Sequence, residues 1–258
     1  MIAYYPMPKF PPISISPCKL MCKHCMGKYL KGMRKIYDAN KLLSLKNENL
    51  NGVLISGGFN KKGELENLEK MIPAMKILRR KFCVALHPGF LNKKIFEELK
   101  ESIDISFVDL PSNNGIKNVY GLQATTDDYF QNMENFIDAG IMVSPHITVG
   151  LNYGKIEEWE ILDRVKEYKV VKVVIDVIIP TKGTPFEKVI INMEELKEFL
   201  IESRKKLKRV AIGCMRPRGM GIEEMAYEVG INEMAAPPLK LIKKVDSIKR
   251  KEMCCGCP

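Results

Sequence analysis

Ser16-Pro17-Cys18-Lys19-Leu20-Met21-Cys22-Lys23-His24-Cys25 follows a short alternating run, Ile13-Ser14-Ile15-Ser16, and its cysteines are spaced C-x3-C-x2-C. The alternation reads as a strand, so the three thiols sit on a tight loop at a strand's end. Cysteine thiolate is the usual protein ligand of a [4Fe–4S] cube, and three on one loop account for three of its irons. The fourth iron then has no ligand from this loop. A structural zinc site is the competing reading, with His24 or a distant cysteine completing a tetrahedron. Zinc knuckles, however, come as two C-x2-C or Cys/His pairs, which the C-x3-C spacing does not match.

Outward from this loop the chain repeats one unit, a strand followed by a helix. Gly52-Val53-Leu54-Ile55-Ser56-Gly57-Gly58 reads as a buried strand and its turn, and Leu65, Leu68, Met71, Ile72, Met75 and Leu78 recur at helical spacing. Strands are expected at 82–86, 103–110, 141–149, 171–179 and 209–214, each followed by a helical pattern, and a weak eighth at 233–236. Residues 171–179 are nearly all β-branched, as a strand buried on both faces requires. Seven or eight such units predict a (β/α) TIM-type barrel, full or nearly closed, over residues 1–240, with a short cysteine-rich C-terminal tail over 241–258. A doubly wound open sheet is the alternative.

Bulk composition narrows the class. With 46% apolar and 28% charged residues the chain is globular and not disordered. No apolar run approaches the roughly 18 residues that span a membrane, and Met1–Pro12 lacks a signal-peptide layout. Eight cysteines without a secretion signal read as metal ligands, so a reducing cytoplasm is expected. The net charge of +10 gathers at Arg79-Arg80-Lys81, at Arg204-Lys205-Lys206-Leu207-Lys208-Arg209 and at Lys249-Arg250-Lys251. Solvated helix ends explain these clusters first and an acidic partner second. Nucleic acid is disfavoured because no aromatic side chains are interleaved with them.

Four further cysteines stand out in the C-terminal half. Cys254, Cys255 and Cys257 are crowded together, and thiolates so close repel unless a metal neutralises them. A shared iron–sulfur or zinc centre follows, with Cys214 at the end of the seventh strand as the natural fourth ligand. A zinc-scavenging tail or redox-active thiols are the alternatives. Cys83, between apolar neighbours in a strand, reads as an inert core thiol.

The cysteine spacing resembles the signature of the radical S-adenosylmethionine (radical SAM) superfamily, and the likeness extends over about residues 13 to 215. It implies S-adenosylmethionine bound through its amino and carboxylate groups to the open iron at Cys18, Cys22 and Cys25. Gly57-Gly58 resembles the superfamily's Gly-Gly-Glu motif, whose backbone holds the methionine amino group, although Phe59 replaces the Glu. The run 145–151, with His146, Thr148 and Gly150, resembles the fifth-strand motif that packs on adenine. Ile179-Pro180-Thr181-Lys182-Gly183-Thr184-Pro185 is similar to a loop of biotin-synthase-like enzymes. His24 stands where an aromatic side chain usually meets the adenine. His87 and His146 end strands, where a cofactor contact and a plain hydrogen-bonded role are both open.

A second [4Fe–4S] cluster in such an enzyme implies sulfur insertion, and the terminal Cys-Cys-Gly-Cys resembles one component of the two-protein archaeal lipoyl synthases. That likeness implies an octanoylated lipoyl carrier protein as substrate, a second radical SAM synthase subunit, and an electron donor such as ferredoxin. Two alternatives stay open. One is a radical SAM enzyme acting on a small molecule, biotin-synthase-like or in metal-cofactor maturation. The other is a non-catalytic iron–sulfur or zinc docking protein.

Overall fold

The computed structural model describes residues 1–258. Its strands are β1 (Ile2–Tyr4), β2 (Pro12–Ser14), β3 (Arg34–Lys35), β4 (Gly52–Ser56), β5 (Cys83–Leu86), β6 (Ile105–Asp109), β7 (Met142–Val149), β8 (Val173–Val177), β9 (Val210–Ile212), β10 (Glu233–Ala235) and β11 (Lys249–Lys251). They form one sheet in the order β11-β1-β10-β9-β8-β7-β6-β5-β4-β2-β3, and every pairing is parallel. From β4 to β10 neighbours in space are neighbours in sequence, as repeated right-handed strand–helix units dictate. The sheet curls into a barrel that remains open, because β3 and β11 are edges that do not pair with each other.

Helices α1 (Ala39–Ser44), α2 (Leu68–Leu78), α3 (Phe96–Ser102), α4 (Asn113–Gly115), α5 (Thr126–Asp138), α6 (Trp159–Val165), α7 (Met193–Lys206), α8 (Ile222–Glu228) and α9 (Leu239–Ile242) join the strands. None is long and apolar enough to cross a membrane. The two-residue period of a strand divides the core into two. Val84, Leu86, Val108, Val143, Ile147, Val173 and Ile175 join the large core that also holds the helix residues Met71, Leu99, Phe136 and Leu196. Their alternates Ala85, Ile105, Phe107, Val174 and Ala211 make a second, smaller core lining the lumen.

The tail belongs to that inner core. After β11 has paired with β1, residues 252–258 turn into the lumen, where Cys254, Cys255 and Cys257 are buried against Ala85, Phe107 and Val174. Ser144 Oγ donates to the Gly256 carbonyl at 2.6 Å, and Cys257 N–H donates to Cys254 O at 3.0 Å, closing a turn. Glycine is needed at 256, because a Cβ there would lie 2.6 Å from the Phe107 ring. Nearby, the buried Lys172 Nζ donates to Tyr4 Oη at 2.7 Å and to Glu233 Oε2 at 2.8 Å, and Arg209 closes on the same carboxylate.

Three strands and one helical stretch depart from the sequence pattern. β1, β3 and β11 have two or three residues each, too few to show a period. Asn113-Asn114-Gly115, whose composition reads as a polar loop, opens a helical stretch, with Ser112 Oγ accepting from Gly115 N–H at 3.3 Å and a π turn over Ile116–Tyr120.

Candidate active site in the barrel lumen

The cysteine loop leaves β2 and is clamped by the turn after β4. Phe59 O accepts from both Lys19 N–H and Leu20 N–H at 2.9 and 2.8 Å, Gly58 N–H donates to Ser16 O at 2.9 Å, and Ser16 Oγ donates to Gly58 O at 2.8 Å. A Cβ on Gly58 would fall 2.1 Å from Pro17 C and Cys18 N, so the approach needs glycine. Met21 and Met26, flanking Cys22 to Cys25, take positive φ values of 54° and 46°, which side chains of this size rarely adopt. The loop is therefore held in a fixed, strained form. Burial pushes the Cys22 thiol well up, with Cys25 and Cys18 adding to it, and pushes Cys25 up to about 11. Thiols gathered in this way need a cation to ionise them, and the donor set fits a cube with one iron per thiolate.

His24 sits among aromatic side chains. Its ring lies 5.7 Å from those of Tyr29 and Tyr120 and 6.2 Å from that of Phe186. Burial holds it neutral, down to about 4, and its Nδ1 is buried without a partner. No three His, Cys, Asp or Glu side chains converge on a single-ion site. The aromatic box with one free ring nitrogen is suited to a flat heterocycle.

The other residues singled out in the sequence divide into two groups. The 180–185 loop docks on the cysteine loop: Thr181 Oγ1 lies 3.0 Å from Tyr29 Oη, Lys28 Nζ donates to Gly183 O at 2.9 Å, and Thr184 Oγ1 donates to His24 O at 3.4 Å. Pro180 itself is exposed. Thr148, half-buried, shares the inward face of β7 with His146. Gly150 turns elsewhere, with φ 78°, its N–H donating to the buried Glu158 at 3.1 Å and Ile191 filling the space where a Cβ would go.

Below the mouth, four strand ends place a polar layer across the lumen. His87 Nε2 meets Asp109 Oδ2 at 3.1 Å, and His146 Nδ1 faces Asp176 Oδ2 at 3.8 Å. The two imidazoles are 6.4 Å apart, and His146 stacks on Phe107 at 5.1 Å. Met215 N–H donates to Asp176 Oδ1 at 2.9 Å, in space that only Gly213 leaves free, since a Cβ there would be 2.0 Å from that oxygen. Burial opposes charge on His87, but Asp109 outweighs it and holds the imidazole above its ordinary range. Burial takes His146 down to about 4 and Asp176 up to about 7, with Asp109 reinforcing the latter. Asp109 thus favours the charged form of His87, while His146 beside it is a neutral imidazole whose Nε2 is buried without a partner. Asp109 and Asp176 escape a reading of motifs. Their signal is an acidic residue at an inward position of an otherwise apolar strand.

On the other side of this layer lie the tail thiols. Cys214 is exposed at the end of β9, while Cys254, Cys255 and Cys257 are buried. Cys83, read in the sequence as a core thiol, is half-buried, faces the lumen from β5, packs against the inner core and is in side-chain contact with Cys257. The inward phase of β5, shared with Ala85 and His87, puts it there.

No family model matches the sequence, and no curated protein does either. Solved structures match it closely in shape. Methylornithine synthase (PylB) superposes with a TM-score of 0.61 at 13% identity, over 88% of this chain and 71% of its own. The fold is radical SAM-like. Streptococcus suis SuiB bound to S-adenosylmethionine gives 0.60 at 16% identity, over 86% of this chain and 53% of SuiB. An anSMEcpe structure with bound AdoMet gives 0.52 at 13% identity, over 80% of this chain and 60% of its own. This chain therefore spans between about half and seven-tenths of these proteins. SuiB has also been solved with its precursor peptide SuiA, and anSMEcpe with a Cp18Cys peptide.

Proposed function

We propose that this radical SAM-like chain is a sulfur-inserting enzyme, one component of a two-protein lipoyl synthase acting on an octanoyl chain held by a carrier protein. The observation that carries this reading is the tail. Cys254, Cys255 and Cys257 are folded into the barrel, buried in its inner core, so that the barrel carrying Cys18, Cys22 and Cys25 at its mouth also encloses a second set of thiols. A cube at the mouth with bound S-adenosylmethionine would supply a 5′-deoxyadenosyl radical able to abstract hydrogen from an unactivated carbon.

This chain's own residues do the positioning. His24, Tyr29, Tyr120 and Phe186 form the heterocycle box, and the Phe59 carbonyl fixes the cysteine loop. The buried thiols and walls exclude water from a carbon radical. A second cluster at the tail would be the sulfur source. Peptide-bound relatives in shape support a protein substrate, and a net charge of +10 suits an acidic carrier. A second synthase subunit and an electron donor such as ferredoxin complete the proposed system, in the cytoplasm.

One observation favours a second reading. The His87–Asp109 and His146–Asp176 pairs face the lumen, and an alkyl chain offers them no hydrogen bond. A small molecule bearing polar groups would satisfy the free His146 Nε2. The test is anaerobic reconstitution with dithionite, S-adenosylmethionine, the second subunit and octanoylated carrier, read by mass spectrometry of the carrier peptide. Sulfur gained by the octanoyl group is expected. Release of 5′-deoxyadenosine without carrier modification turns the assignment to the small-molecule reading.

A further inference from the structure

Away from the mouth the chain has five thiols, not four, and four of them belong to the inner core. The five run from the exposed Cys214 at the end of β9, through Cys254 and Cys255 in the tail turn, to Cys257 and then Cys83 on the wall. A four-iron cluster takes four cysteines, so one of the five is spare. Geometry separates the two outer candidates. Cys83 projects inward from β5, in phase with Ala85, and packs on the inner core that contains Cys257. Its backbone is fixed by pairing opposite Gly52 of β4, so the ligand it offers is preorganised. Cys214 lies on the loop after β9, open to solvent and outside the inner core that holds the tail thiols.

A second feature distinguishes the same end of the lumen. Lys172 has a fully buried side chain and sits 4.7 Å over the Tyr4 ring, itself part of the core that holds the tail thiols. It is paired with Glu233, whose carboxylate it shares with the 34% exposed Arg209, so two cations flank this end of the lumen. Their field favours an anionic, thiolate-ligated centre beside Cys255 and Cys257.

We propose that Cys83 is the wall ligand of a lumenal metal centre completed by Cys254, Cys255 and Cys257, with Cys214 outside the ligand set. Ligation replaces each S–H by an S–metal bond and releases the proton to solvent. The proposal rests on reading the tail as a metal-binding element, but it assigns the fourth ligand to a strand that sequence spacing passes over.

The experiment isolates this centre by working in a Cys18→Ala/Cys22→Ala/Cys25→Ala background, reconstituted anaerobically with iron and sulfide. About four irons per chain and a dithionite-reduced electron paramagnetic resonance signal are expected to remain. Adding Cys83→Ser should remove most of that iron and the signal, whereas adding Cys214→Ser should leave both. Loss with Cys214→Ser and retention with Cys83→Ser would overturn the ligand assignment while leaving a lumenal centre standing. No iron in the triple-alanine background removes the centre itself, and with it the sulfur-donor reading. Should Cys83→Ser fail to fold, labelling of the wild type decides. Cys83 must react with iodoacetamide in metal-stripped protein and be protected after reconstitution, and any other pattern overturns the proposal.

Discussion

Gly58 has a Cβ position occupied by the backbone of Pro17 and Cys18, so Gly58→Ala forces the β4 turn away from the cysteine loop. Overpacking of this kind costs about 1–3 kcal/mol, and iron retention at the mouth should fall with the melting temperature. Iron analysis beside a thermal melt checks both. The glycine pair is legible in sequence as a motif, yet its physical reason, the close approach of two backbones, appears only once the loops are docked. Glu158 gives a pH prediction. It is fully buried, one oxygen accepts from Gly150 N–H and Glu157 N–H at 3.1 Å, the other has no partner, and burial raises it to about 7. An acid raised in the folded state keeps its proton while the unfolded chain gives its own up. Stability is therefore lost as pH rises from about 4.5 to 7, by roughly 3 kcal/mol, and is flat above that. Urea unfolding of the metal-free chain at pH 5 and pH 8 should show that loss together with one of the same sign from Asp176, and Glu158→Gln should remove the Glu158 share of the difference.

Among the elements, α5 carries the clearest local signal: Thr125 Oγ1 accepts from Asp128 N–H at 3.3 Å, and Asp128 returns the bond to Thr125 N–H at 2.8 Å. Thr125→Ala should cost about 1 kcal/mol in chemical denaturation without changing metal content. The tail behaves differently. Because Cys254, Cys255, Gly256 and Cys257 fill the inner core, deleting residues 254–258 removes packing against Phe107 as well as thiols. Such a truncation should lower the melting temperature even in metal-free protein, whereas Cys254→Ser should not do so to the same extent. Strand and helix repeats from β4 to β8 were readable from their own apolar runs, whereas β9 and β10, with three residues each, were readable only as continuations of the repeat. The tail's destination was not, since nothing in Cys-Cys-Gly-Cys says which surface will receive it.

For the molecule as a whole, a net charge of +10 on one chain predicts that capture of an acidic carrier protein weakens with ionic strength. Affinity measured at 50 and 300 mM salt should fall, and salt-independent binding would point to an apolar contact instead. The polar layer of the lumen was illegible as a unit because His87, Asp109, His146 and Asp176 come from four strands spread over 90 positions, and only curling of the sheet brings them together. The same closure has a temporal side. The first strand, β1, pairs only with β10 and β11, so Ile2 finds its first partner, Glu233, 231 positions later. At about 5–20 residues per second, a nascent chain carries that strand unpaired for on the order of 10–50 s. Met1 to Tyr5 are thus made long before their partners and are among the last to be built in, and the β11 segment that leads the thiols into the lumen has no strand to pair with until they are.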